Sequence, residues 1–121
     1  MISIEGIIWI LLIHWFADFV YQTDYWAKNK SKSNLVLATH VLVYSLLMLM
    51  AVYLSGMSII NSFIFFASTF LFHFWTDYIS SRLSNKLAEK EDWHNFFVAI
   101  GVDQFLHYAQ LFITYYILTR H

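Results

Sequence analysis

The chain has 121 residues, of which 60% are hydrophobic, 21% are aromatic and only 12% are charged. A soluble domain usually carries roughly 25% charged residues, so this composition indicates a membrane protein. The net charge of −1 argues against nucleic acid as a partner, and the absence of cysteine excludes disulfides, thiolate ligands and cysteine nucleophiles.

Four apolar stretches approach or exceed the roughly 20 residues that a helix needs to cross a bilayer. We predict an all-α polytopic membrane protein in which residues 1–121 form one domain, a bundle of four transmembrane helices. The predicted spans are residues 2–21, 34–54, 57–79 and 96–118. The first stretch lacks the features of a cleaved signal peptide, so we interpret it as a retained span. The start of the fourth predicted span has two interpretations, because residues 92–95 could either enter the membrane or end an amphipathic surface helix.

The basic residues are concentrated in the segments after the first and third predicted spans. They are Lys28, Lys30, Lys32, Arg82, Lys86 and Lys90. Short loops rich in lysine and arginine remain in the cytoplasm, so we expect both termini to lie outside. We interpret the three lysines after the first span as a topology signal. The alternative is that they attract an anionic substrate or a lipid headgroup.

A histidine and an aspartate lie four residues apart in two of the apolar stretches. The first pair is His14 and Asp18, and the second is His73 and Asp77. Residues at this spacing share one face of a helix, so each pair places an imidazole beside a carboxylate. Ionisable groups in a membrane are costly and usually face the interior of the bundle with a functional partner.

Each pair is followed by a further histidine in the next span, which is His40 in the first half and His107 in the second. This order favours a parallel repeat of two helices, although chance similarity between aromatic-rich helices is the alternative. Asp103 lies one turn before His107, whereas the matching position before His40 is Val36. At about 1.5 Å per residue, all these side chains fall within roughly two helical turns of one another.

A cation shared by these groups is the least costly way to bury them. The candidate metal ligands are His14, Asp18, His40, His73, Asp77, Asp103 and His107. Imidazole and carboxylate suit zinc first, with manganese or iron as alternatives. A purely structural network of hydrogen bonds between helices is the other interpretation, and for His40 it is equally well supported.

Three motifs occur in a fixed order: HWFADFVYQTDYWAKNK, then HFWTDY, then DQFLH, with one histidine in the span between the first two. In this combination nearly the whole chain resembles the bacterial and phage membrane proteins of unknown function DUF3307. The matching positions are His14, Asp18, Gln22, Lys30, His40, His73, Asp77, Asp103, Gln104 and His107. The family often has a lysine soon after the second aspartate, where this chain has Ser80, Ser81 and Arg82. The resemblance implies a helical integral membrane protein, which we expect in the bacterial inner membrane, and it gives no activity.

Three functions fit this pattern. The first is a metal-dependent hydrolase with Asp103 and Asp18 as catalytic carboxylates, acting on a lipid-linked or phosphorylated substrate from the inner leaflet. The second is a transporter or channel for a cation, a proton or a small metabolite, which with four spans requires a homo-oligomer. The third is a structural or regulatory membrane protein. The outer halves of the spans are almost wholly apolar, and this favours the hydrolase.

Overall fold

A computed structural model describes residues 2–120, which are helical apart from short links. The elements in chain order are α1 (Ile4–Trp15), a π-helical turn (Phe16–Val20), α2 (Asp24–Asn29), α3 (Asn34–Leu54), α4 (Ile59–Glu89) and α5 (Trp93–Thr119). No strand occurs in this part of the chain, so the predicted all-α class is confirmed.

A serine or an aspartate precedes each of the four longer helices and accepts a hydrogen bond from a backbone N–H three residues on. These caps are Ser3, Ser33, Ser58 and Asp92. Such a cap is worth about 0.5–2 kcal/mol because it satisfies a backbone donor that has no partner within the helix. The cap at Asp92 settles the open boundary of the fourth apolar stretch, since α5 begins directly at Trp93.

Three of the helices, α3, α4 and α5, are long and apolar enough to cross a membrane. The bounds of α3 agree with the prediction, whereas α4 continues ten residues beyond its predicted end. The prediction of four spans is not supported for the first stretch. There α1 has 12 residues and the π-helical turn adds five, fewer than the roughly 20 of a typical span. The helix ends because the chain turns at residues 21–23 and Thr23 caps α2.

The long helices pack in chain order, with α3 against both α1 and α4, and α5 against α4. The link between α3 and α4 is short, and Gly56 adopts the left-handed conformation there with φ of 109°. An apolar core fills one end of the bundle. Its fully buried members are Ile10, Met48, Val52, Phe65 and Leu111. We call the opposite end, which carries the lysines and arginines of residues 28–32 and 82–90, the basic end.

Two helical glycines differ in what surrounds them, and this gives a test of the packing. A Cβ added to Gly6 would lie 2.0 Å from the hydroxyl oxygen of Tyr115, whereas one added to Gly101 would meet no described atom within 4 Å. We expect Gly6→Ala to destabilise the protein by about 1–3 kcal/mol through overpacking. We expect Gly101→Ala to stabilise it by about 0.5–1 kcal/mol, because alanine favours a helix. Thermal unfolding in detergent, followed by circular dichroism, measures both, and equal shifts in Tm would contradict the packing.

Candidate metal centre

Five ionisable side chains meet where the π-helical turn, α3, α4 and α5 come together. They are Asp18, His40, His73, Asp77 and His107, and we call them the His/Asp cluster. None is more than 7% exposed. The cluster lies between the apolar core and the basic end. In α4 the core residue Phe65 precedes His73, and in α5 the core residue Leu111 follows His107.

Asp18, His40 and His73 form the first of two sets that could hold an ion, with one ligand atom from each within 4.8 Å of the others. Asp18 Oδ1 lies 3.2 Å from His40 Nε2 and 3.8 Å from His73 Nε2. Ligands bound to zinc at roughly 2.0–2.1 Å in a tetrahedron are about 3.3 Å apart, so these separations suit a small divalent ion.

His73, Asp77 and His107 form the second set. Asp77 Oδ2 lies 3.1 Å from His73 Nε2, and Asp77 Oδ1 lies 3.0 Å from His107 Nε2. The two imidazole rings stack with centroids 4.1 Å apart. His73 is the side chain that belongs to both sets, and His40 Nε2 adds a second contact between the halves, 3.5 Å from Asp77 Oδ2.

Two atoms in the first set face each other without forming a hydrogen bond. Asp18 Oδ1 and His40 Nε2 are both buried, and neither has a hydrogen-bond partner within residues 2–120. They are nevertheless within ion-pair distance at 3.2 Å, and His40 Nε2 also lies 3.5 Å from Asp77 Oδ2, but neither contact has the geometry of a hydrogen bond. Buried polar atoms are rarely left unsatisfied, and a cation to which both atoms point would satisfy both. The donor set therefore fits a metal ion.

Lys30 reaches the cluster from the residue that follows α2. Its Nζ donates a hydrogen bond to Asp77 Oδ2 at 3.0 Å, and its side chain is 17% exposed. Burial alone would lower the pKa of Lys30, but attraction to the Asp77 and Asp18 carboxylates raises it above its usual value. Lys30 is therefore a permanent cation at the site. The sequence favours a topology signal for this lysine, while its alternative of attracting an anionic substrate and the family resemblance both point to the site.

His14 lies beside the cluster but belongs to neither ligand set. Its Nε2 is 2.7 Å from the side-chain oxygen of Gln104, and its Nδ1 is 2.5 Å from the hydroxyl of Tyr44. The amide nitrogen of Gln104 donates to Asp103, which fixes the amide oxygen as the acceptor for His14. In the neutral ring Nδ1 then accepts from Tyr44. Both ring nitrogens are occupied, so this candidate ligand is better described as a positioning residue.

Asp103 also lies outside both ligand sets. Ser80 donates a hydrogen bond to its Oδ1 at 2.5 Å, and His107 Nε2 lies 3.2 Å from the same oxygen. Asp103 is 9% exposed and lines a polar cavity of about 260 Å³ at the basic end, together with Gln22, Lys30 and Ser80. Asp103 therefore contacts the cluster through His107 on one side and the polar cavity on the other.

The contacts of the two halves are similar in one respect. His40 Nε2 lies 3.2 Å from Asp18, and His107 Nε2 lies 3.0 Å from Asp77, so each single histidine meets the aspartate of its own half. The halves differ in the histidine of the pair, because His73 Nε2 is 3.1 Å from Asp77 whereas His14 Nε2 is 3.9 Å from Asp18. The parallel repeat stays a prediction.

Sequence reasoning missed Tyr44 and Ser80. Tyr44 is buried, and its ring lies 4.1 Å from that of His73, measured between centroids. A signal was present for each, since Tyr44 lies one turn after His40 and Ser80 lies one turn after Asp77 on the same helical faces.

The chain belongs to a family described as protein of unknown function, DUF3307, whose model matches residues 7–121. The resemblance that the motifs indicated is therefore confirmed over nearly the whole chain. No curated protein and no solved structure matches it.

Proposed function

We propose that this member of DUF3307 is a membrane-embedded, metal-dependent hydrolase that acts on a phosphorylated or lipid-linked substrate. The observation that carries the proposal is the pair of buried atoms Asp18 Oδ1 and His40 Nε2, which face each other without a hydrogen-bond partner in the described chain. A network that only joins helices is better served by contacts such as that of His107 Nε2 with Asp77 Oδ1, 3.0 Å apart, than by two buried atoms that miss hydrogen-bond geometry.

The membrane part of the proposal rests on the outer surface of the helices. Large apolar side chains such as Phe72, Trp75 and Phe105 are more than half exposed on α4 and α5. Similar exposure of Ile4 and Ile8 extends this surface to α1. We propose that α1 with its π-helical turn is a short fourth membrane helix, at the lower limit of roughly 17 residues. The basic end then faces the cytoplasm, with both termini outside.

The metal part of the proposal assigns the ion to the His/Asp cluster. Imidazole nitrogen and carboxylate oxygen favour zinc, and they also suit manganese or iron. His73 is the ligand that both sets share. Lys30 and Asp103 contact the cluster and also line the polar cavity, so they would connect a bound ion with a substrate in that cavity.

Bound there, the ion would supply Lewis-acid catalysis and activate water. Asp103 would accept the proton of that water as general base. Its carboxylate lines the polar cavity and contacts the cluster through His107, and Ser80 and Gln104 hold it in place. Lys30 would bind an anionic oxygen of the substrate, with Asp77 holding its ammonium in place. Asp18, predicted as a second catalytic carboxylate, is assigned to the ion instead, because it lies in the ligand set and away from the cavity lining.

Cation or proton transport is the second candidate, and the apolar core argues against it for one copy of the chain. Side chains with no exposed surface, among them Ile10, Phe65 and Leu111, lie beyond the cluster on the side away from the basic end. A transported ion would have to cross this layer, where Ser62 and Thr69 offer buried neutral hydroxyls in place of charged partners, and this costs several kcal/mol or more.

The experiment combines elemental analysis with a hydrolysis assay on detergent-purified protein. We expect about one zinc, manganese or iron ion per chain, lost in Asp18→Asn and in Asp77→Asn. We expect release of inorganic phosphate from phosphatidic acid, abolished by a chelator and restored by the metal. Metal without hydrolysis of phosphate esters would refute the hydrolase and leave a metal site. Absence of metal from protein purified without chelator would refute both.

A further inference from the structure

An apolar groove runs along the outside of the bundle between α4 and α5. Its volume is about 570 Å³, within the usual range of ligand sites. Most of its lining is apolar and contributed by Trp75, Ile79, Leu83, Val98, Val102 and Leu106. Several of these side chains are about half exposed, so the groove opens sideways from the bundle.

The groove meets the polar cavity at the basic end. Ser80 and Asp103 line both, and they are hydrogen-bonded to each other at 2.5 Å. On the polar side of this pair lies Lys30, with its Nζ against the Asp77 carboxylate. Gln22 also lines the polar cavity, and its buried side-chain oxygen has no hydrogen-bond partner within residues 2–120. The apolar groove therefore leads to the cation Lys30, and Lys30 in turn contacts the His/Asp cluster.

From this arrangement we infer that the substrate is a phosphate-bearing membrane lipid. One of its acyl chains lies in the groove between α4 and α5, and its phosphate enters the polar cavity beside Lys30. The inference rests on the proposed function and narrows its substrate from two classes to one. A water-soluble phosphate ester would use the polar cavity and leave the groove unused.

Two features favour a lipid as the occupant. The groove opens towards the surface that we assign to the bilayer, so a lipid can enter from the side without carrying its chain through water. The polar cavity supplies a partly buried cation, Lys30, and a phosphate is the part of a lipid that such a cation recognises. An apolar chain alone would gain little, because lipid tails outside the protein are as apolar as the groove.

The test is native mass spectrometry of the full-length protein in detergent with added phosphatidic acid. Val102 lines the groove and is 52% exposed, so Val102→Trp fills the groove. The control is Ile113→Trp, because Ile113 lies on the same helix, is 59% exposed and does not line the groove. We expect Val102→Trp to weaken lipid binding about tenfold because the indole occupies the space of the acyl chain, and Ile113→Trp to leave it unchanged. Leu83→Trp fills the groove from α4 and should repeat the effect of Val102→Trp.

The headgroup is tested with Lys30→Gln and with Lys28→Gln, an exposed lysine, as control. We expect Lys30→Gln to weaken phosphatidic acid binding about tenfold, since a charged hydrogen bond is lost, and to leave diacylglycerol unaffected. Inorganic phosphate in excess should not displace the lipid if the groove contributes. Displacement of the lipid by phosphate, or equal lipid binding by Val102→Trp and the wild type, would overturn the inference. A dimer that forms in the wild type and is blocked by Val102→Trp would also overturn it, because a second copy of the chain would then occupy the groove.

Metal content separates this inference from the proposed function. Val102 and Leu83 lie outside the His/Asp cluster, so their variants should keep the metal of the wild type. Metal and phosphatase activity without groove-dependent lipid binding would overturn the lipid assignment and leave the hydrolase. Groove-dependent lipid binding without metal would overturn the hydrolase and leave a lipid-binding protein.

Discussion

Replacement of His73 by alanine is expected to reduce metal affinity by more than about 100-fold, the largest effect of any single histidine. His73 belongs to both ligand sets, and its Nε2 lies 3.1 Å from Asp77 Oδ2 and 3.8 Å from Asp18 Oδ1. Its loss leaves each set with two ligands, fewer than the three protein ligands of a catalytic zinc site. The measurement is the ratio of metal to protein after dialysis against a weak chelator.

Two other histidines serve as controls for His73. His14→Ala removes a residue outside both sets, and we expect it to weaken metal binding by about tenfold through the loss of a positioning contact. His94→Ala changes an exposed histidine and should have no effect. If His14→Ala lost the metal and His73→Ala kept it, the assignment of the ligands would be wrong. If all three kept it, the cluster would not be a metal site.

Replacement of Asp103 by asparagine is expected to lower kcat by about 10²–10⁴-fold while the metal content stays that of the wild type. Asparagine has nearly the size of aspartate and can still accept the hydrogen bond from Ser80, but it cannot take a proton from water. The measurement is the rate of phosphate release from phosphatidic acid at saturating substrate, alongside elemental analysis of the same sample.

The control for Asp103 is Asp92→Asn, which changes a carboxylate at the start of α5, far along the helix from the cluster. Asparagine caps a helix as well as aspartate does, so folding should be preserved. Loss of metal from Asp103→Asn would place Asp103 among the ligands and remove it as the base. Unchanged kcat with metal present would remove it from the reaction.

Much of the fold follows from the sequence by simple rules. The bounds of α3 were predicted to the residue because its apolar block is limited by serines on both sides, and Ser33 is the cap. The assembly of the cluster was also predictable, since histidine and aspartate four residues apart share a face and the rise of a helix fixes their depth. The first span was overestimated because apolar composition does not reveal where a helix ends at a capping residue such as Thr23.

The partners of individual side chains were less accessible to sequence reasoning. Whether His14 turns to an ion or to Tyr44 and Gln104 depends on the rotation of α1 about its axis, and the sequence does not determine that rotation. Lys30 follows a six-residue helix that returns the chain towards Asp77. The path of such a segment depends on tertiary packing. The number of charges in the segment therefore predicts a basic loop but not the contact of Lys30 with Asp77.

The π-helical turn has a consequence for how the two His-x-x-x-Asp motifs are used. The backbone N–H of Tyr21 donates to the carbonyl of Phe16, five residues back, whereas a regular α-helix bonds four residues back. The second half keeps a regular helix through His73 and Asp77. The spacing of histidine and aspartate is the same in both motifs, yet His14 Nε2 lies 3.9 Å from Asp18 Oδ2 whereas His73 Nε2 lies 3.1 Å from Asp77 Oδ2. The widened turn therefore lets Asp18 join the first ligand set without His14, so motifs of equal spacing make unequal contributions to the cluster.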